Sequence, residues 1–201
     1  MARLILVVFG LMGTGKTTLA LALGEALGWP VVHSDAVRKV LAGLGPTTPT
    51  PVAYGEGIYR DDFSARTYAE MRRRAVAWLA AAPGVILDAS FKRAQERQEV
   101  RDLARQAGAR ACFIYCLCPL EVVRERLCLR QADASSISDG REELLAAQAQ
   151  DFEPPTEADY PLLRLDTGRE LGEVLKEAQT FLEGLVPASS PPGQRAEPPA
   201  E

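Results

Sequence analysis

Gly10 to Thr17 reads G-L-M-G-T-G-K-T and fits the template G-x-x-x-x-G-K-[ST], a glycine-rich turn closed by a lysine and a hydroxyl residue. The template constrains a fold only when a buried strand enters it and a helix leaves it. Both flanks are present. Arg3 to Phe9, R-L-I-L-V-V-F, is apolar almost throughout, as in a strand covered on both faces of a parallel sheet. Beyond the loop, Leu19, Ala22, Leu23, Ala26 and Leu27 recur at helical spacing. Glycines let the backbone wrap closely around phosphate oxygens, and a helix N-terminus adds partial positive charge. In that geometry Lys16 reaches the β- and γ-phosphates of a nucleoside triphosphate and the Thr17 hydroxyl meets Mg²⁺. The predicted nucleotide-binding set is Gly10, Met12, Gly13, Thr14, Gly15, Lys16, Thr17 and Thr18.

The remaining sequence must supply one α/β domain around this loop. At 201 residues, 47% hydrophobic and 25% charged, the chain suits a single core. We place that domain at residues 1–186, followed by a disordered Pro-rich tail over 187–201, P-A-S-S-P-P-G-Q-R-A-E-P-P-A-E. A net charge of -4 gives no global attraction to a polyanion, so a nucleic-acid substrate needs a local basic groove. Met1 to Phe9 lacks the layout of a signal peptide, and no apolar run has the length of a membrane span, so a cytoplasmic protein with no membrane partner is expected. Cys112, Cys116, Cys118 and Cys128 lie among strand and helix residues, far in sequence from His33; they read as reduced core thiols or, alternatively, as a structural zinc site.

A second strand, Val31 to His33, runs to Ser34-Asp35. Ligands of open parallel sheets lie at the carboxyl ends of strands, which aims Asp35 at the cleft of the phosphate loop. Asp35 reads either as the base for a phosphoryl acceptor or as the N-cap of the next helix, which turns Val37, Val40, Leu41 and Leu44 inward. Gly43 to Gly57 reads as a binding loop or a mobile surface segment, in which Tyr54 and Tyr59 are candidates to line an acceptor pocket. A helix over Ser64–Ala82 buries Tyr68, Met71, Ala75, Trp78 and Leu79, with Arg72, Arg73 and Arg74 on its other sides.

The third strand, Val85 to Leu87, ends at Asp88, a pattern by which a carboxylate reaches Mg²⁺ or its bound water. Phe91 then either packs on the acceptor or closes the core. The following helix turns Val100, Leu103, Ala104 and Ala107 inward and shows Arg97, Arg101 and Arg105 as a solvated, ion-paired stripe, in preference to a nucleic-acid track. After a fourth strand, Ala111 to Leu117, a helix from Leu120 to about Arg130 carries Arg126 and Arg130 on one face, as either a closing lid or a salt-bridged surface. Asp139 and Glu142 resemble an N-terminal cap for a helix running to about Phe152. A fifth strand, Leu162 to Leu165, leads into Asp166-Thr167-Gly168, and a last helix, about Leu171 to Leu185, buries Leu171, Val174, Leu175, Ala178 and Leu182.

From Leu4 to Leu185 the chain resembles the small P-loop kinases, a group that includes gluconate kinases, zeta toxins, chloramphenicol phosphotransferase and the kinase domain of polynucleotide kinases. It looks most like the ATP-binding domain that follows an aminoglycoside-phosphotransferase-like domain in some bacterial two-domain proteins. G-L-M-G-T-G-K-T-T, H-S-D-A-V-R-K at His33–Lys39, Y-G-E-G-I-Y at Tyr54–Tyr59 and V-I-L-D-A-S-F at Val85–Phe91 carry the resemblance. It implies a three-layer α/β fold whose five-stranded parallel sheet has the order 2-3-1-4-5, with a helical lid at about 119–150. It also implies that Asp35 is the base, that Arg38 grips the acceptor, that Arg126 and Arg130 are lid arginines, and that adenine lies near them and Thr167. No partner domain is read in this sequence, so the resemblance does not name the acceptor.

The residues together predict a kinase using ATP and Mg²⁺ on a small hydroxyl-bearing acceptor. The predicted catalytic residues are Lys16, Asp35, Arg126 and Arg130, with Arg126 and Thr167 also on the nucleotide. Asp35, Arg38, Tyr59, Asp88 and Phe91 are predicted on the acceptor side, and Thr17 and Asp88 at the metal. A polynucleotide 5′-hydroxyl kinase and an ATP-binding regulatory module with slow hydrolysis are the alternatives. A GTPase switch is disfavoured by the lack of an N-K-x-D stretch. The oligomeric state is not legible in the sequence.

Overall fold

A computed structural model describes residues 3–45, 48, 55–131 and 142–185, and the side chains of 130, 131, 142 and 143 lie outside this description. The Pro-rich tail, Tyr54 and the Asp139 cap therefore lie outside the described residues. Five strands, β1 (Arg3–Phe9), β2 (Val31–His33), β3 (Gly84–Asp88), β4 (Ala109–Leu117) and β5 (Leu162–Asp166), form an all-parallel sheet in the order β2-β3-β1-β4-β5. This is the predicted order. The seven described helices are α1 (Lys16–Leu27), α2 (Ser34–Leu41), α3 (Asp61–Leu79), α4 (Ala94–Gln106), α5 (Leu120–Gln131), α6 (Glu142–Gln150) and α7 (Leu171–Leu185).

β1 shows why the sheet needs cover on both sides. Successive side chains point to opposite faces. Ile5, Val7 and Phe9 join Val37 of α2, Tyr68, Met71, Ala75 and Leu79 of α3 and Val100 and Ala104 of α4 in one core. Leu6 and Val8 point the other way, onto Leu19 and Leu23 of α1 and Val174, Ala178 and Leu182 of α7. A third, smaller cluster joins Met12 of the phosphate loop to Val123 and Leu127 of α5 and Leu145 of α6. α5 and α6 therefore have their own apolar contact with the phosphate loop.

Several sequence expectations are corrected. α3 begins at Asp61, not Ser64, because Asp61 and Asp62 supply the acidic first turn that a helix N-terminus favours, and it ends at Leu79, not Ala82. β4 starts two residues early, at Ala109, where it pairs with Arg3. Trp78, Val40 and Leu171 are exposed, not inward. Trp78 sits on the shoulder of the Tyr68–Met71–Ala75–Leu79 stripe, outside the width the sheet covers.

The largest correction concerns Arg97. It is fully buried rather than part of a solvated stripe. Arg97 lies on the α4 face of Val100 and Ala104, and Asp159 supplies a carboxylate there at 3.1 Å. Arg97 also donates to the carbonyls of Phe91, at 2.9 Å, and Pro154, at 3.4 Å. Its guanidinium lies over the Phe9 ring.

Candidate active site

The phosphate loop leaves β1 at Gly10, whose φ of 141° suits glycine. A Cβ there would lie 2.6 Å from the Cys116 carbonyl oxygen of β4, so neither conformation nor space admits a side chain. Gly13, at φ 76°, is pressed by α5: a Cβ would lie 2.7 Å from Val123 Cγ1. Inside the loop, the Leu11 carbonyl accepts from Thr14 Oγ1 at 2.7 Å and from Lys16 Nζ at 2.8 Å. Met12 N–H donates outward to Gln148 Oε1 of α6 at 2.7 Å. Thr14 is buried, Gly15 and Lys16 are half-buried, and Thr18 is exposed in the first turn of α1.

The structure brings Thr17 and Asp88 together. Thr17 Oγ1 donates to Asp88 Oδ2 at 2.8 Å, and His33 Nδ1 stands 2.9 Å from the same oxygen. A carboxylate only accepts, so both neighbours donate. Asp88 Oδ1 is buried and has no hydrogen-bond partner among the described residues. A buried carboxylate oxygen without a donor is costly, and a hard cation satisfies it. The pair fits Mg²⁺, which is commonly held by one or two carboxylates together with substrate phosphates and water. Among the described residues no group of three or more His, Cys, Asp and Glu is arranged to hold a metal. That excludes the zinc-site arrangement for these residues.

Parallel pairing sets His33 beside Asp88, so the exit of β2 runs alongside the exit of β3. Asp35 follows in the first turn of α2, whose N-cap position is held by His33, so it is not the cap residue. Its Oδ1 instead accepts from Arg38 Nη1 at 2.8 Å, with the arginine side chain 8% exposed and the aspartate 20%. Arg38 lies under the Tyr59 ring, 4.5 Å from its centroid, and its Nε is buried without a partner among the described residues. The structure thus joins three predicted acceptor-side residues, Asp35, Arg38 and Tyr59. Phe91 behaves otherwise: it is buried, packs on Tyr68 and belongs to the core, at a φ of 40°. Burial pushes the Tyr68 phenol well above its usual range, and it bonds Ser90 Oγ and the Phe91 N–H. Tyr68 is therefore a buried phenol that ties α3 to the Ser90–Phe91 turn.

On α5, Arg126 Nη2 donates to the Thr167 carbonyl at 2.8 Å and Nη1 faces Cys118 Sγ at 3.5 Å. The Thr167 hydroxyl stands 2.5 Å from the Thr14 carbonyl and 2.9 Å from that of Leu117, so it ties the β5 exit to the phosphate loop. Arg126 and Thr167 are thus brought together. Arg130 falls in the last turns of α5, but its side chain lies outside the described residues. Cys116, at the carboxyl end of β4, is buried, and burial pushes its thiol up to about 12.

Two residues of the site went unassigned in the sequence. His33 ended a strand with nothing to mark its ring, although its place one residue before Ser34-Asp35 was a signal of position. Gln148 is an isolated glutamine on a helix, and its partner lies 136 positions away, so no local pattern exposes it.

Residues 5–155 match the family described as an AAA domain. An uncharacterized protein of Mycobacterium tuberculosis is 32% identical over 137 residues, 68% of this chain and 27% of that protein, and one of Mycobacterium bovis matches with the same figures. The chain thus spans about a quarter of the length of the curated relatives it matches. Among solved structures, a gluconokinase from Sinorhizobium meliloti shares the fold at a TM-score of 0.61 and 22% identity, over 92% of this chain and 93% of that one. A protein from Chloroflexus aurantiacus described as a putative kinase does so at 0.66 and 24%, over 91% and 97%. The Mycobacterium tuberculosis APS kinase CysC, solved with AMPPNP and APS, does so at 0.60 and 20%, over 90% and 98%. The chain belongs to the AAA-domain family and has the P-loop kinase fold.

Proposed function

We propose that this chain is an ATP- and Mg²⁺-dependent kinase that transfers the γ-phosphoryl group to a hydroxyl of a small molecule. The observation that carries this reading is the convergence, at one end of the sheet, of the Thr17–Asp88 oxygen pair and the Asp35–Arg38 pair, through the register of His33 with Asp88. Thr17 and Asp88 would hold the metal, which when bound draws charge from the phosphate oxygens. Lys16 and the loop N–H groups bind the β- and γ-phosphates. Asp35 accepts the proton of the acceptor hydroxyl as its oxygen bonds to phosphorus and the bond from phosphorus to the β,γ-bridging oxygen breaks, releasing ADP. Arg38 orients the Asp35 carboxylate, and Arg126 and Arg130 neutralise charge from the lid side. The bound nucleotide in the structure of the APS kinase, which shares this fold, supports the nucleotide assignment.

The test is ATP consumption by the purified protein with Mg²⁺, screened across sugars, sugar acids, nucleosides, aminoglycosides and 5′-hydroxyl oligonucleotides, with Asp35→Asn in parallel. Stimulation by one class, lost in Asp35→Asn while ATP still binds, is the expected result. Stimulation that persists in Asp35→Asn at wild-type kinetics overturns the role of Asp35. Tight ATP binding with a flat screen favours the regulatory module.

A further inference from the structure

We propose that Gln148 is a positioning residue for the phosphate loop, through which the lid helix α6 sets the orientation of the Leu11–Met12 peptide and thereby the reach of Lys16. This rests on the kinase reading above. The oxygen and the N–H of that single peptide unit are engaged from opposite directions. Its oxygen accepts from Lys16 Nζ at 2.8 Å and from Thr14 Oγ1 at 2.7 Å, while its N–H donates to Gln148 Oε1 at 2.7 Å. Because a peptide is planar, rotating its N–H displaces its carbonyl as well. Gln148 therefore acts on Lys16 through a rigid plate, without touching it.

Gln148 is placed to do this consistently. The residue is nine-tenths buried, and its neighbour Leu145 packs with Met12, Val123 and Leu127. Beyond α6 the chain is fastened to the β3–α4 connection: Lys92 Nζ bonds Asp151 at 2.5 Å, the Ala94 N–H donates to Glu153 at 2.7 Å, and the Glu153 N–H donates to the Lys92 carbonyl at 2.8 Å. The helix end that carries Gln148 is thus anchored on one side by the acceptor-side connection and on the other by the loop. A buried amide carbonyl facing a backbone N–H has little freedom to move independently.

Lysine of a phosphate loop reaches the β- and γ-phosphates, so mispositioning it weakens a triphosphate more than a diphosphate. The experiment measures the dissociation constants of ATP and ADP, each with Mg²⁺, for the full wild-type chain, Gln148→Ala and Gln148→Glu, together with their thermal midpoints. Gln148→Ala is expected to weaken ATP by about tenfold and ADP by about twofold or less, the scale of one hydrogen bond of this kind. Gln148→Glu keeps an acceptor for Met12 N–H, so it is expected to hold its thermal midpoint. Its negative charge on the phosphate loop is expected to lower the ATP-to-ADP preference nonetheless, because it repels the more highly charged triphosphate more strongly. An unchanged preference in Gln148→Glu, or equal losses for both nucleotides in Gln148→Ala, overturns the role of Gln148 while leaving the kinase reading intact. A wild-type chain that binds neither nucleotide overturns the kinase reading, and this role with it.

Discussion

Arg97 and Asp159 form an ion pair at 3.1 Å in which neither side chain has more than 1% of its surface exposed, although 62 positions separate them. Arg101 adds a second bond to the same oxygen at 2.6 Å. The triad fastens the segment before β5 to α4 and, through the Phe91 carbonyl, to the exit of β3. Removing one partner of a buried pair leaves the other charge uncompensated, so Asp159→Ala is expected to cost about 3–5 kcal/mol in urea unfolding. Asp102→Ala, at the exposed pair with Arg105, is expected to cost far less, because solvent screens that pair. Equal costs would show that burial does not govern the difference.

The same carboxylate has a signature in acid. Burial pushes its pKa up, but hydrogen bonds from Arg97, Arg101 and the Thr156 N–H outweigh this, and the net shift is downward. A depressed carboxylate contributes its full stability above its unfolded value, about 4, and loses it as pH falls through the lower folded value. Asp159→Asn should therefore flatten the acid limb of stability against pH and leave the slope above about pH 5 unchanged. A change confined to neutral pH would contradict this assignment.

Gly13 separates the phosphate loop from α5 by the width of one missing atom. Gly13→Ala meets Val123 Cγ1 at 2.7 Å and Leu127 Cγ at 3.1 Å, at a φ of 76° that disfavours any L residue. A cost of about 1–3 kcal/mol is expected from the backbone conformation alone. Val123→Ala should recover the steric part but not the conformational part, which a double-mutant cycle measures as a coupling of about 1 kcal/mol.

The four thiols should divide by burial. Cys112 and Cys116 are buried and burial pushes both up to about 12, Cys118 is also raised by burial, and Cys128 is exposed. A thiolate-specific reagent at pH 8 is expected to label Cys128 first and to reach Cys112 and Cys116 only on unfolding, as mass spectrometry of labelled peptides will show. Rapid labelling of Cys116 in the native protein would contradict the packing of β4.

Thr17→Ala removes the hydroxyl that faces Asp88 at 2.8 Å. If that hydroxyl is a Mg²⁺ ligand, the variant should need more Mg²⁺ for the same ATP affinity, while binding measured in EDTA stays near wild type. Equal weakening with and without Mg²⁺ would assign Thr17 to the loop alone.

The Thr17–Asp88 meeting was legible because it depends on local chemistry, a strand that ends in a carboxylate and a loop whose glycines and lysine keep a fixed spacing, whereas the sheet order came only with the resemblance to the small P-loop kinases. The outward reading of Arg97 failed because periodicity shows which residues share a helix face but not that a distant Asp159 makes an arginine tolerable on the inner one. Trp78 failed for the opposite reason, since apolarity does not reveal how wide a stripe the sheet covers. Gln148 was invisible, because its meaning resides in a contact with a backbone N–H that has no sequence identity. Phe91 was placed at the right turn, but its ring faces the core.

His33, the single histidine of the chain, donates from Nδ1 to the oxygen that also receives the Thr17 hydroxyl. That gives the protein a built-in spectroscopic beacon: one imidazole, hence one set of ring nitrogen resonances, wired to the carboxylate of the proposed metal site. Without any introduced label, those nitrogen resonances would report on the surroundings of that carboxylate.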